Sequence, residues 1–269
     1  MAWALSILLL LLALYLYLIA PGRRGKDVSA LRGFLYAHRG LFDNEGGIPE
    51  NSLAAFARAV EAGYGMELDV QLTVDGKLVV FHDKTLTRMC GADVCLSELS
   101  YEEAQKYTLL GTNERIPLFS QVLDLVNGRT PLIVEIKHYG NVNRTAREVN
   151  AMLSRYNGPY CVESFHPLAM RWFKKNASQV IRGQLASGVI THETPAYQQA
   201  VLKYLLVNVL SRPDFIAYDI RADRNASILL LRRLFRPLWV AWTVRTMEEH
   251  TKAKQKYDLQ IFEGFMPNH

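Results

Sequence analysis

Cysteine is scarce: Cys90, Cys95 and Cys161 are the three in 269 residues. The count is odd and no C-x-x-C pair occurs, so neither a disulfide-stapled scaffold nor a thiolate zinc site is indicated. Cys90 and Cys95 stand close enough for a local disulfide, but reduced thiols in a cytoplasmic domain are the expectation. No glycine-rich nucleotide fingerprint follows the first strand-like run, which argues against an open, doubly wound dinucleotide-binding sheet. Internal repeats and low-complexity tracts are absent too, which excludes solenoids and disordered segments. A one-sided charge is also missing. The net charge is +5, yet setting aside Arg23, Arg24 and Lys26 leaves 28 basic against 26 acidic residues. Nothing demands a nucleic-acid partner.

Charge is wholly absent from Trp3 to Ala20, which read WALSILLLLLALYLYLIA. As a helix, these residues would reach about 27 Å, near the thickness of a hydrocarbon core. A cleaved secretory signal is the competing reading. It lacks a basic residue before the apolar core, and Pro21-Gly22 offers no small-x-small cleavage site. The expectation is therefore a transmembrane anchor over 1–21 and a basic linker over 22–33. Positive charge lies only on the C-terminal side, so the positive-inside rule gives a single-pass protein of the cell membrane with a cytoplasmic catalytic domain. Tyr15 and Tyr17 would sit near headgroup level.

Beyond residue 34, apolar strand-like runs alternate with amphipathic helical stretches. The runs are 34–38, 65–70, 131–137, 160–165, 180–185, 214–219, 238–244 and 258–262. They are β-branched and apolar nearly throughout, as parallel strands covered by helices must be. Eight such units in about 235 residues predict an α/β domain over 34–269, a (β/α)8 TIM barrel. The stretch 71–117 is longer than an ordinary connection. It carries a hairpin signal at Asp75-Gly76 before a short run at 78–81, and reads as a small insertion after the second strand.

Groups suited to catalysis collect at the C-terminal ends of the proposed strands, the active-site face of such a barrel. His38-Arg39 ends the first run, Glu50-Asn51 follows in the next loop, and His82-Asp83 ends the run beside the second strand. Glu67 and Asp69 are two apart on one strand and so share a face, as do Glu135 and Lys137 on another. Three carboxylates aimed into one mouth repel unless a cation lies between them, and oxygen ligands favour Mg²⁺, Ca²⁺ or Mn²⁺. With Arg39 and Lys137 beside it, such an ion makes a phosphate site. His38 and His82 could face each other across the phosphate, one as general base and the other as general acid.

HRG at 38–40, PEN at 49–51, ELDV at 67–70, HD at 82–83 and EIK at 135–137 resemble, in this order, the glycerophosphodiester phosphodiesterase family. Ser164-Phe165, RGQL at 182–185 and Trp242-Thr243 match more weakly. The resemblance spans nearly the whole chain after residue 34 and implies a TIM barrel with its insertion after the second strand. It maps metal carboxylates onto Glu67, Asp69 and Glu135, with Glu50 as a further ligand or a partner behind them. It maps catalytic histidines onto His38 and His82, and phosphate or substrate contacts onto Arg39, Lys137 and Asn51. The implied reaction is hydrolysis of glycerophosphodiesters to glycerol 3-phosphate and an alcohol, by water or through a cyclic phosphate. Where the family ends its eighth strand in Thr-Asp, this chain reads Phe262-Glu263-Gly264-Phe265-Met266-Pro267. That departure bears on the assignment of substrate contacts on this side of the pocket, not on that of the metal carboxylates or the histidines.

Each residue also has a plainer reading. A lone histidine is usually structural, but His38 comes with Arg39, Glu50, Glu67, Asp69 and His82 in order. Lys137 could be a structural partner of Glu135. Phe165 and Trp242 fit barrel core as well as a substrate-lining role. Asp219 and Asp223 read as loop caps, and Arg232, Arg233 and Arg236 as a solvated helix face. A lysophospholipase D or a phosphoinositide phospholipase C would use the same chemistry, and an anchor would favour such lipid-derived substrates. A silent membrane-tethered binding protein would be expected to have lost part of this set.

Overall fold

The computed structural model describes residues 2–22, 25–189 and 195–267. Arg23 and Arg24, two of the three charges of the expected basic boundary, lie outside them. The third, Lys26, is tied to the barrel: its Nζ donates to the Val180 carbonyl at 2.7 Å and to Asp214 at 2.6 Å.

The strands among the described residues are β1 (Tyr36–Ala37), β2 (Gly65–Leu72), β3 (Leu78–Val80), β4 (Leu132–Ile136), β5 (Tyr160–Ser164), β6 (Arg182–Ala186), β7 (Phe215–Asp219), β8 (Leu238–Val244) and β9 (Leu259–Phe262). Eight are parallel, and β1 pairs with both β2 and β9, so the sheet closes into a barrel. β3 alone is antiparallel, folded back on β2 through the turn at Asp75-Gly76. The helices are α1 (Ala2–Ile19), α2 (Leu53–Glu61), α3 (Thr87–Cys90), α4 (Tyr101–Ala104), α5 (Phe119–Val126), α6 (Val142–Leu153), α7 (Pro167–Asn176), α8 (Ala196–Lys203), α9 (Asn208–Ser211), α10 (Ala226–Leu230) and α11 (Met247–Lys254). Local chemistry sets several starts. Ser52, Asn141, Asn225 and Thr246 each accept a backbone N–H of the first turn, and Pro167 opens α7.

Two apolar layers follow from strands buried on both faces. Inside the barrel, Ile133, Cys161, Leu185, Phe215, Val240 and Ile261 fill the centre. Gly183 makes room for this packing, since a Cβ there would lie 2.0 Å from the Phe215 ring. The outer layer joins strands to helices through Phe56, Met66, Phe119, Phe173 and Tyr218. The insertion has a small core of its own, in which Val79, Phe81, Leu86, Met89 and Leu109 are buried together. All three cysteines are free.

Among the described residues no helix is long and apolar enough to cross a membrane. This corrects the expected transmembrane anchor. The 18 residues of α1 run from Ala2 to Ile19, and only part of that length is free of the barrel. Its last turn is moreover committed to the barrel. Ile19 is fully buried, Tyr15 Oη meets Ser227 Oγ at 2.6 Å, and Asn208 Nδ2 donates to the Ile19 carbonyl at 2.8 Å. Hydropathy alone does not tell a contact with protein from one with lipid. Residues 3–14 remain exposed.

Candidate active site

The barrel's C-terminal face is built from strand ends, and the register decides which side chains meet there. Asp69 on β2 pairs with Glu135 on β4, and Glu135 with Glu163 on β5. With Glu67 two residues before Asp69, these carboxylates point into the mouth at adjoining levels. Carboxylate oxygens of Glu67, Asp69 and Glu135 lie within 4.8 Å of one another, all three buried. Burial pushes the Glu67 carboxyl well above its ordinary range, and the neighbouring Asp69 and Glu135 add to the shift. Burial raises Glu163 likewise, with Glu135 and Asp69 reinforcing it. The Asp69 carboxylate is held low despite its burial by Lys137, His82 and Arg39.

This donor set fits a hard divalent cation. Asp69 Oδ1 and Glu163 Oε2 are buried and accept no hydrogen bond, and three close carboxylates are stable together only with positive charge among them. Lys137 supplies part of that charge, with Nζ 3.0 Å from Glu135 Oε1 and 3.3 Å from Asp69 Oδ1.

Arg39 enters from the loop after β1. Its φ of 55° turns the chain so that its N–H donates to Glu67 Oε2 at 3.2 Å. Its guanidinium donates to Glu50 at 2.6 Å and lies 3.4 Å from Asp69. Glu50 stands outside the carboxylate cluster that could hold a metal. Arg88 of α3 donates to both Glu50 oxygens, at 2.7 and 2.9 Å. Although burial opposes it, bonds from Arg88 and the charge of Arg39 hold Glu50 down to about 2. Asn51 is also engaged within the protein, donating to Asp69 Oδ2 at 2.9 Å.

The two histidines are each held by a carboxylate. His82 Nδ1 lies 2.6 Å from Asp83 Oδ1, and Asp83 in turn accepts from Arg88 at 2.7 Å. One connected set therefore runs from His82 through Asp83, Arg88, Glu50 and Arg39 to Asp69. His38 Nδ1 makes a short hydrogen bond with Glu263 Oε2, while its Nε2 faces Glu67 Oε2 at 3.8 Å. Burial lowers the His38 imidazole, and the Arg39 charge adds to this against the pull of Glu263. Glu263 also pairs with Arg245 at 2.7 Å. Against its burial, His38 and Arg245 hold Glu263 down to about 2.

Glu263, from the divergent 262–267 segment, is the carboxylate that holds His38. It lies directly after β9, and β9 pairs with β1, which ends beside His38. The signal was available, because every strand end of a closed barrel faces the same mouth. Arg88 and Glu163 carry no such signal, one lying inside the insertion and the other in an apolar run. Phe165 and Trp242 pack edge to face with centroids 5.4 Å apart. Asp219 caps the turn after β7 by accepting from the Arg221 N–H, and Asp223 accepts from Tyr257 Oη.

The sequence model of the glycerophosphoryl diester phosphodiesterase family matches residues 38–258. A glycerophosphodiester phosphodiesterase of Bacillus altitudinis is 31% identical over 180 residues, 62% of this chain and 71% of that protein. A lysophospholipase D of Homo sapiens is 36% identical over 121 residues, 40% of this chain and 38% of that protein. The chain spans about half the length, or less, of most of the curated relatives it matches. Among solved structures, an Oleispira antarctica phosphodiesterase in complex with the product sn-glycerol-3-phosphate superposes with a TM-score of 0.70 at 22% identity. That match takes in 86% of this chain and 93% of the other, and it shows the fold.

Proposed function

The chain belongs to the glycerophosphoryl diester phosphodiesterase family, and on that premise we propose that it hydrolyses glycerophosphodiesters to glycerol 3-phosphate and an alcohol at its barrel mouth. The observation that carries this reading is the convergence of Glu67, Asp69 and Glu135 within 4.8 Å, beside two histidines that are each held by a carboxylate.

Glu67, Asp69 and Glu135 would hold a divalent cation, which when bound neutralises charge on the phosphoryl oxygens. Arg39 and Lys137 add positive charge on either side of the phosphate, so a dianionic transition state meets fixed partners. Glu50 and Arg88 keep the Arg39 guanidinium in place, and Asn51 keeps Asp69 in place. Phe165 and Trp242 supply an apolar wall for the glycerol or alcohol portion.

His38 suits the base. The Nδ1–H donates to Glu263, which leaves the Nε2 lone pair facing the mouth, and burial favours the neutral ring. Nε2 takes the proton of the attacking hydroxyl, whether that belongs to water or to the glycerol 2-position. His82, with Nδ1 fixed on Asp83, returns a proton from Nε2 to the departing alkoxide. Replacing either histidine by alanine should lower turnover of glycerophosphocholine by on the order of 10²–10⁴. An unchanged rate removes that histidine from the reaction.

A lysolipid presents the same phosphodiester bond with an acyl chain attached. The exposed apolar length of α1 favours this second substrate class.

A further inference from the structure

We infer that the exposed part of α1 enters one leaflet of a phospholipid bilayer and holds the catalytic mouth against that lipid surface. This rests on the reading of the mouth as the catalytic face.

The direction of α1 follows from its contacts in order. The Gly22 N–H donates to the Pro213 carbonyl at 2.8 Å, at the foot of β7. Ile19 meets Asn208 of α9. Tyr15 meets Ser227, and Ser227 Oγ donates to the Tyr204 carbonyl at 2.7 Å. The adjoining Lys203 carbonyl accepts from Tyr218 Oη, one residue from the C-terminal end of β7. Going from Gly22 back to Tyr15 thus climbs from the foot of the strand to its top. The residues before Tyr15 continue past the face that carries His38, Glu67 and Asp69. Trp3 to Leu14 would extend about 18 Å, comparable with one leaflet of a core roughly 30 Å thick.

The occupant follows from how the apolar surface is distributed. Leu8, Leu9, Leu10, Leu11 and Leu12 are 62%, 56%, 70%, 58% and 46% exposed. Successive residues of a helix turn by about 100°, so these leucines cover every side. A protein groove covers one stripe of a helix, whereas acyl chains cover all of it. Ser6 is the one polar side chain between Trp3 and Leu14.

The test is flotation of the full chain with phosphatidylcholine vesicles, beside a Leu8→Asp/Leu10→Asp chain. The unaltered chain should float. The variant should stay in the soluble fraction and retain its turnover of soluble glycerophosphocholine. It should lose about tenfold or more on lysophosphatidylcholine embedded in vesicles, because tethering raises the local concentration of substrate. Nitroxide labels at Lys84→Cys, by the mouth, and Asp27→Cys, at the foot, report orientation. A nickel-chelating lipid should broaden the first more than the second. Flotation of the variant, equal broadening, or a full chain that stays soluble as a self-associated oligomer overturns the inference. Flotation without turnover of either substrate supports the docking and refutes the catalytic reading, so the two failures are distinguishable.

Discussion

His38 and Glu263 are joined by a hydrogen bond from the end of the first strand to the residue after the last. The bond exists because β1 pairs with β9 and closes the barrel. Glu263→Gln keeps the size of the side chain but removes the charge that fixes the Nδ1 proton. Turnover should fall about tenfold to hundredfold, the usual worth of a partner that orients a functional histidine. KM should change little, and the acidic limb of the pH–rate profile should move. A rate and profile matching the unaltered chain would show that the pair is only structural.

Acid should unfold the chain in a defined window. Glu50 and Glu263 are both held down to about 2, below the ordinary carboxylate value of about 4.3. A depressed pKa stabilises the fold above the unfolded-state value, and the contribution is lost as pH falls through the folded one. Most of the loss should therefore fall between about pH 4.3 and 2, on the order of 3 kcal/mol for each residue. Denaturant midpoints across that range check it. Glu50→Gln should flatten part of the decline, and an unchanged decline would contradict the assignment.

Carboxylate repulsion predicts a stability effect of unusual sign. In chelator, Glu67→Gln should melt higher than the unaltered chain, because it removes one member of a crowded buried cluster. Adding Mg²⁺, Ca²⁺ or Mn²⁺ at a hundred times its dissociation constant should stabilise the unaltered chain by about 2.7 kcal/mol and leave the variant nearly unmoved. Thermal melting reads both arms. A metal shift retained in full by the variant would place the ion elsewhere.

Gly183→Ala tests the packing beneath the site. Its new Cβ would sit 2.0 Å from the Phe215 ring, and overpacking of this kind costs about 1–3 kcal/mol. Adding Phe215→Leu should recover part of that loss in urea unfolding. A fully tolerated alanine would mean that the ring moves aside freely.

Much of this was legible in the sequence for a physical reason. Parallel barrel strands are buried on both faces, so 65–70 and 131–137 read as apolar runs interrupted only by Glu67, Asp69, Glu135 and Lys137. Glu67, Asp69 and Glu135 stood out because a buried carboxylate needs a partner. What was not legible depended on closure in space. Glu263 gains its meaning from the neighbouring β1, 225 positions away from His38 in the pair it forms. Arg88 reaches Glu50 only because the insertion folds back over the mouth. The transmembrane reading failed where composition could not show that Tyr15 and Ile19 pack on α9 and α10. The bond from the Asn51 amide to Asp69 is likewise invisible in the PEN motif, because it joins positions 18 apart in the chain.

The most direct measurement is the release of glycerol 3-phosphate from glycerophosphocholine by the full chain, with divalent metal present and after its removal by EDTA. Turnover should stop in chelator, return when metal is restored, and be lost in Glu135→Gln under either condition. Turnover at full rate in excess EDTA, or undiminished in Glu135→Gln, would contradict the metal-dependent site.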